Sequence, residues 1–372
     1  MQANQYVLSN LNIASSLGLH SKIANAAAFA GLKRLKESGI YFEDMEEWSE
    51  PVPLYVHSLP EFKAEGFQNL GRLVRIMELA LNTAEKKEYQ DADGIVLCFS
   101  DRYYWQKHYL ADLQKVQGNL KFSADEIVNT EQQVWEAKIR NNFLPLLCNL
   151  TDLEMSQFKN TRFLFGQQTS VIDGIQEGIQ LLESFNLKKV LIGVVDSLLD
   201  ERTLQVLLTK NLLKKDDNVG FFPGEAGGFL VLEHANRTNK PVDEIVHLRS
   251  IVSQSSAVTR LDDAYEDGIT LSNVVLQSNF NQFNVKHLFS NLNGDPWRAV
   301  EWGNSMVHVQ NEIGNLPLTL PCENYGETGA ATGLTCVSLA LHSYERNFVN
   351  ENDTAIVLSG DNGKKATLVI GK

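Results

Sequence analysis

The sequence predicts an α/β fold with buried sheets, and three observations carry that expectation. Apolar runs of strand length alternate with amphipathic stretches of helix length along all 372 residues. Hydrophobic residues make up 43% of the chain and charged residues 21%, ordinary values for a compact protein that buries its own core. No low-complexity tract, short repeat or Pro/Gly-rich linker longer than a turn interrupts the pattern, so one compact unit is expected.

Taken in order, the strand candidates of the first half are Gly94–Phe99, Thr161–Phe165, Val190–Val195 and Gly228–Leu232. Those of the second half are Glu244–Val252, Val285–Ser290, Thr354–Ser359 and Ala366–Ile370. Gly, Asp and Asn at their flanks supply the turns that end strands. A helix is expected over Gly66–Glu85, where Leu70, Leu73, Val74, Met77 and Leu81 form a broad apolar stripe. A second is expected over Thr169–Ser184, with Ile172, Ile175, Ile179 and Leu182 at helical spacing. Thr328–Tyr344 is a third, and its near absence of charge predicts a buried helix. The last two helices each follow a strand and a turn, so their free N–H groups are expected to point into a shared cleft.

Charge narrows the range of partners. With 33 Lys and Arg against 46 Asp and Glu, the formal net charge is −13, which disfavours nucleic acid and anionic membrane surfaces. An acidic carrier protein would be repelled too, unless Lys188–Lys189 or Lys214–Lys215 formed a local basic patch. The first thirty residues hold no basic segment followed by an unbroken apolar run, so a cytoplasmic location is expected. Cys98, Cys148, Cys322 and Cys336 are widely spaced with no CxxC pair, which suggests reduced thiols; no metal or other cofactor is expected.

Five segments carry a resemblance. Phe165–Ser197, Phe222–Glu233 (FPGEAGGFLVLE), Ser290–Asp295 (SNLNGD), Glu323–Gly333 (ENYGETGAATG) and Leu358–Val369 follow one another as the corresponding segments do in β-ketoacyl synthases of the thiolase-like superfamily. The resemblance implies a thiolase-like fold of two similar α/β halves, residues 1–236 and 237–372, in a layered αβαβα arrangement. It also implies pairing with a second subunit through Thr161–Phe165, as a homodimer or as a heterodimer with a ketosynthase-like subunit. An acyl carrier protein or acyl-CoA would be the further partner.

Carried over residue by residue, the resemblance places Gln168 at the nucleophilic Cys, Asn293 at the first catalytic His and Glu327 at the second. The family's Lys before that second His falls near Cys322, and the Phe of its gating loop falls in Gly360–Gly363, which has no aromatic residue. Condensation needs a thiolate to hold the acyl group, and an amide cannot serve. The missing histidines would donate hydrogen bonds to a developing enolate; Asn293 can give one, whereas ionised Glu327 repels that charge. A degenerate homologue acting as a non-condensing partner or scaffold is the leading expectation, in the manner of chain-length-factor subunits.

Alternatives stand beside it. Glu327 is either a structural carboxylate at a helix start or a general base. In the second case an acyltransferase or thioesterase would use Asn293 as polarising donor and Cys322 or Ser170 as acceptor. Gln168 is either a backbone-bonding residue at a buried turn or, as the resemblance implies, the counterpart of the Gln of chain-length-factor subunits, and Cys322 either a displaced nucleophile or a small buried hydrophobe. Asp101, Tyr103, Tyr104 and Trp105 form a cluster suited to covering a pocket or to packing. Leu17–Leu32 and Asn293–Trp302 (NGDPWRAVEW) also resemble thiolase-like companions of bacterial secretion-system effectors, which makes an effector another possible partner.

Overall fold

The computed structural model describes residues 4–42, 52–117, 124–215, 219–241, 244–262, 264–349 and 352–372. The first half runs β1 (Tyr6–Ser15), α1 (Ser21–Phe29), β2 (Lys36–Phe42), β3 (Val52–Val56), α2 (Glu61–Ala64), α3 (Asn69–Asn82), β4 (Gly94–Ser100), α4 (Tyr104–Gln117), α5 (Ala124–Leu150), β5 (Asn160–Gly166), α6 (Ser170–Phe185), β6 (Lys189–Ser197), α7 (Glu201–Thr209) and β7 (Glu225–His234). The second half runs β8 (His247–Ser255), α8 (Ile269–Gln277), β9 (Val285–Ser290), α9 (Pro296–Ile313), β10 (Leu318–Thr319), α10 (Cys322–Tyr325), α11 (Thr332–Glu345), β11 (Asp353–Ser359) and β12 (Lys364–Gly371).

All eight strand candidates and all three helix candidates are present, with ends shifted by a few residues. Glu244 lies before β8, which begins at His247. The expected third helix begins with a 3₁₀ turn, Gly329–Ala331, before α11.

Strand order explains how the halves relate. The large sheet reads β10-β9-β11-β12-β8-β1-β7-β6-β4-β5. From its centre, β1-β7-β6-β4-β5 pairs antiparallel, antiparallel, parallel and parallel. The series β8-β12-β11-β9-β10 repeats those relations. Among the described residues the two series meet at the ends of β1 and β8, where Val7 pairs with His247 and Leu8 N–H donates to Val246 O at 2.9 Å.

The apolar faces dictate the layers. α3 lies against β1, β6 and β7, and its residues share an apolar cluster with α5 on the outer face of the first half. α8 and α9 share another with the second half. Between the two five-strand series lie α6 and α11: α6 touches β4 and β6 but also β8 and β12, while α11 touches β9 and β11 but also β1 and β7. A helix covered on all sides must be apolar all round, and Thr332–Tyr344 is buried throughout. The architecture is the expected αβαβα sandwich of two similar halves.

Candidate functional site

The site forms where the starts of α6 and α11 meet. Gly333 makes that meeting possible, since a Cβ there would lie 2.6 Å from the Gln168 carbonyl oxygen. Gln168, in the turn between β5 and α6, therefore lies beside Glu327, which precedes the first turn of the other buried helix. Gln168 Nε2 reaches Glu327 Oε1 at 3.4 Å. Asn293, in the loop between β9 and α9, donates from Nδ2 to Glu327 Oε2 at 2.6 Å. The three residues expected to share a site are thus brought together.

Two residues that sequence reasoning missed complete the cluster. Asp361, in the turn between β11 and β12, accepts from Gln168 Nε2 at 2.6 Å through Oδ2. Its own N–H donates to Gln168 Oε1 at 3.0 Å. Arg298, in the first turn of α9, bonds Asp361 Oδ1 at 2.7 Å and lies 3.8 Å from Glu327 Oε2. A second donation, to the Asn291 carbonyl at 3.2 Å, fixes its guanidinium. Arg298 was visible in the NGDPWRAVEW segment, and Asp361 stands in the loop where the resemblance looked for an aromatic gate.

Electrostatics follow from this packing. Glu327 is 1% exposed and Gln168 2%. Besides Asn293 and Gln168, Glu327 accepts from Thr332 Oγ1 at 2.7 Å and from Gly329 N–H at 3.1 Å. Burial pushes its carboxyl above the usual range and the Asp361 charge adds to this, while Arg298 and the hydrogen bonds from Thr332 and Asn293 act against it. The helix-start N–H of Gly329 is thus already taken by a side chain, as the structural reading of Glu327 anticipated.

Cys322 opens α10 with its thiol 3.8 Å from the Asn291 carbonyl. Burial, reinforced by the Glu327 charge, raises it well above an ordinary thiol, so it is not a poised thiolate. Ser170 Oγ is buried and donates to Gln167 O at 2.6 Å. The arrangement holds a carboxylate with three hydrogen bonds on Oε1 and one on Oε2, a thiol that burial makes harder to ionise, and an amide.

The aromatic cluster after β4 divides. Tyr104 Oη donates to Asp361 O at 2.7 Å and pins the loop that fills the site. Asp101 and Trp105 instead line a separate cavity of about 820 Å³, whose lining includes Gln167 but none of Gln168, Asn293, Cys322 or Glu327. Among the described residues no helix is long and apolar enough to cross a membrane, and no group of three or more His, Cys, Asp or Glu could hold a metal ion.

No family model matches the sequence, and no curated protein matches it. Solved structures do match its shape. The ishigamide ketosynthase/chain length factor superposes with a TM-score of 0.67 at 13% identity, covering 99% of both chains. A type II polyketide synthase ketosynthase, solved with its acyl-carrier protein and bound to the hexaketide, gives 0.70 at 11% identity over 100% of both chains. A β-ketoacyl synthase from Burkholderia phymatum gives 0.65 at 13% identity over 99% of both. The chain has the ketosynthase form of the thiolase-like fold, with Gln168, Asn293 and Glu327 gathered where its two buried helices begin.

Proposed function

We propose that this protein is a catalytically degenerate ketosynthase homologue that acts, in the cytoplasm, as a non-condensing partner or scaffold. The observation that carries the reading is the Gln168 amide, hydrogen-bonded through both of its polar atoms to Asp361 and set against Glu327 at the position the family gives its nucleophile. A chain-length-factor subunit keeps the fold and the assembly surface while its partner performs the condensation, and this cluster suits that division. The acyltransferase or thioesterase alternative is disfavoured, because Glu327 is already engaged by Asn293, Gln168, Thr332 and Gly329 and burial makes the Cys322 thiol harder to ionise.

The free edge of β5 supports the partner role. Among the described residues this strand ends the sheet order, with β4 on one side only, and all of Asn160–Gly166 is half-buried in the isolated chain. An open edge is a template for a second chain. A carrier protein is less favoured at the lysines: Lys189, of the expected basic patches, is already paired with Asp91 at 2.6 Å.

The test combines assembly with chemistry. The chain, alone and co-expressed with a ketosynthase of the type II polyketide kind, is examined by light scattering, and intact mass is recorded after incubation with acyl-CoA and acyl-carrier thioesters. Assembly through β5 with no acyl adduct supports the proposal. A stable adduct on this chain, or a monomer that binds no ketosynthase, overturns it.

A further inference from the structure

A fully buried lysine faces a fully buried glutamate in the second half. Lys365, on β12, is 0% exposed and Glu301, on α9, is 1% exposed. Lys365 Nζ meets Glu301 Oε1 as an ion pair, yet that oxygen has no hydrogen bond of ordinary geometry among the described residues. Ser359, the cross-strand partner of Lys365 on β11, holds both ends. Its Oγ accepts from Lys365 Nζ at 2.9 Å and donates to Glu301 Oε2. The Trp297 ring lies 4.9 Å from the ammonium nitrogen.

In water an amine and a carboxyl group are separate ions and do not condense. Here burial disfavours both charges, and the pair becomes a neutral amine beside a neutral acid when one proton crosses between them. A second buried carboxyl shares the region. Glu266 is 3% exposed, accepts from Gly268 N–H at 3.1 Å through Oε1 and has no hydrogen-bond partner at Oε2. Burial raises its carboxyl, with the Lys365 charge acting against this and the Glu301 charge with it. One ammonium cannot neutralise two carboxylates, so protons are retained in the cluster. Holding amine and acid in contact replaces a bimolecular encounter, an advantage equivalent to effective concentrations of roughly 10⁵–10⁸ M. Desolvating two ions is costly even when they are paired, and an amide does not carry that cost. A void of about 10 Å³ bordered by Glu301 and Ser359 has room for about one water molecule, the product of condensation.

We infer that Lys365 and Glu301 are joined by an isopeptide bond that the folded chain forms by itself. The Lys365 nitrogen bonds to the side-chain carboxyl carbon of Glu301 as one carbon–oxygen bond of that group breaks. The departing oxygen leaves as water with two of the three ammonium hydrogens, and the third stays on the amide nitrogen, so no oxidant or co-reactant is required. The bond ties α9 to the β11–β12 hairpin. Arg298 stands on that helix and Asp361 in that hairpin turn, so the crosslink fixes the two residues that close around Gln168 and Glu327. The inference is independent of the partner role, since it concerns one chain alone.

Mass spectrometry of the full chain under denaturing conditions tests it. After prolonged incubation in the native state, the parent chain is expected to weigh less than its sequence by one water. Protease digestion is expected to release two peptides joined through Lys365 and Glu301, with no cleavage after Lys365. Lys365→Met and Glu301→Leu are each expected to show their full sequence mass. Should either variant fold poorly, the parent's linked peptide decides the matter. The full sequence mass in the incubated parent, or a water loss that maps to other residues, sinks the inference and leaves the pair an ordinary buried salt bridge.

Discussion

Gln168 and Asp361 hydrogen-bond each other twice, Nε2 to Oδ2 at 2.6 Å and Asp361 N–H to Oε1 at 3.0 Å. The pair joins the start of α6 to the turn between β11 and β12, and so ties one half of the fold to the other. A hydrogen bond to a charged group contributes roughly 1.5–3 kcal/mol when desolvated. In this protein the meeting point of the halves is occupied by its own side chains.

Arg298 is the charge that makes this occupation tolerable. Two buried carboxylates, Glu327 and Asp361, flank it, and removing one partner from a buried ion pair typically costs about 3–5 kcal/mol. Arg298→Met is expected to destabilise by that order in denaturant titration, and adding Glu327→Gln to recover part of the loss. Equal stability of Arg298→Met and the parent would remove the cluster's structural role.

Restoring a thiol should not restore condensation. In Gln168→Cys the new sulfur faces Asp361 and Glu327, and neighbouring negative charge disfavours a thiolate. Intact mass after incubation with acyl-CoA is expected to show no acylation at that position. An adduct there would mean that the site opens in solution.

Asp196 gives stability an inverted dependence on acid. Burial raises its carboxyl from 3.8 to about 6, so between those values the folded chain holds a proton that the unfolded chain has lost. The slope of unfolding free energy with pH follows protons bound unfolded minus folded, here negative. This residue's contribution therefore falls as pH rises from about 4 to about 6, by on the order of 3 kcal/mol in total. Asp196→Asn should flatten that segment of the stability profile, and an unchanged profile would contradict the buried carboxyl.

Thiol reactivity should separate the four cysteines. Cys98, Cys322 and Cys336 are buried and Cys148 is half-buried, and burial raises all four thiols. Native alkylation, located by peptide mass, is expected to modify Cys148 first and the other three only on unfolding. Early labelling of Cys322 would revive it as a nucleophile.

The β5 edge is tested by charge. Thr161→Lys puts a lysine on each of two strands expected to pair across a symmetry axis, which natural edges use to prevent association. Light scattering should show the mass falling to the 41.7 kDa of one chain with the thermal transition retained. A variant that still assembles places the interface elsewhere.

Much of the fold was legible because buried strands and helices write their period into the chain. The central strand β1 was not, since Ser9, Asn10 and Asn12 interrupt its apolar pattern. Asn12 is buried there because Leu19 O, Ala80 O and Thr83 Oγ1 accept from its amide and Ser21 N–H donates to its oxygen. Those partners lie up to 71 residues away, and no local signal announces them.

The sequence by itself determined the α/β class with buried sheets, the buried character of α11 and the absence of a cysteine at the start of α6, because periodicity and residue identity are local properties. Only the tertiary structure decided that Arg298 and Asp361 would close around Gln168 and Glu327, and that segments from Lys36 to Gln205 would enclose one cavity. Those contacts join residues as many as 193 positions apart. Which buried charge meets which donor is settled by the path of the chain through the sheets and the need to satisfy every desolvated group.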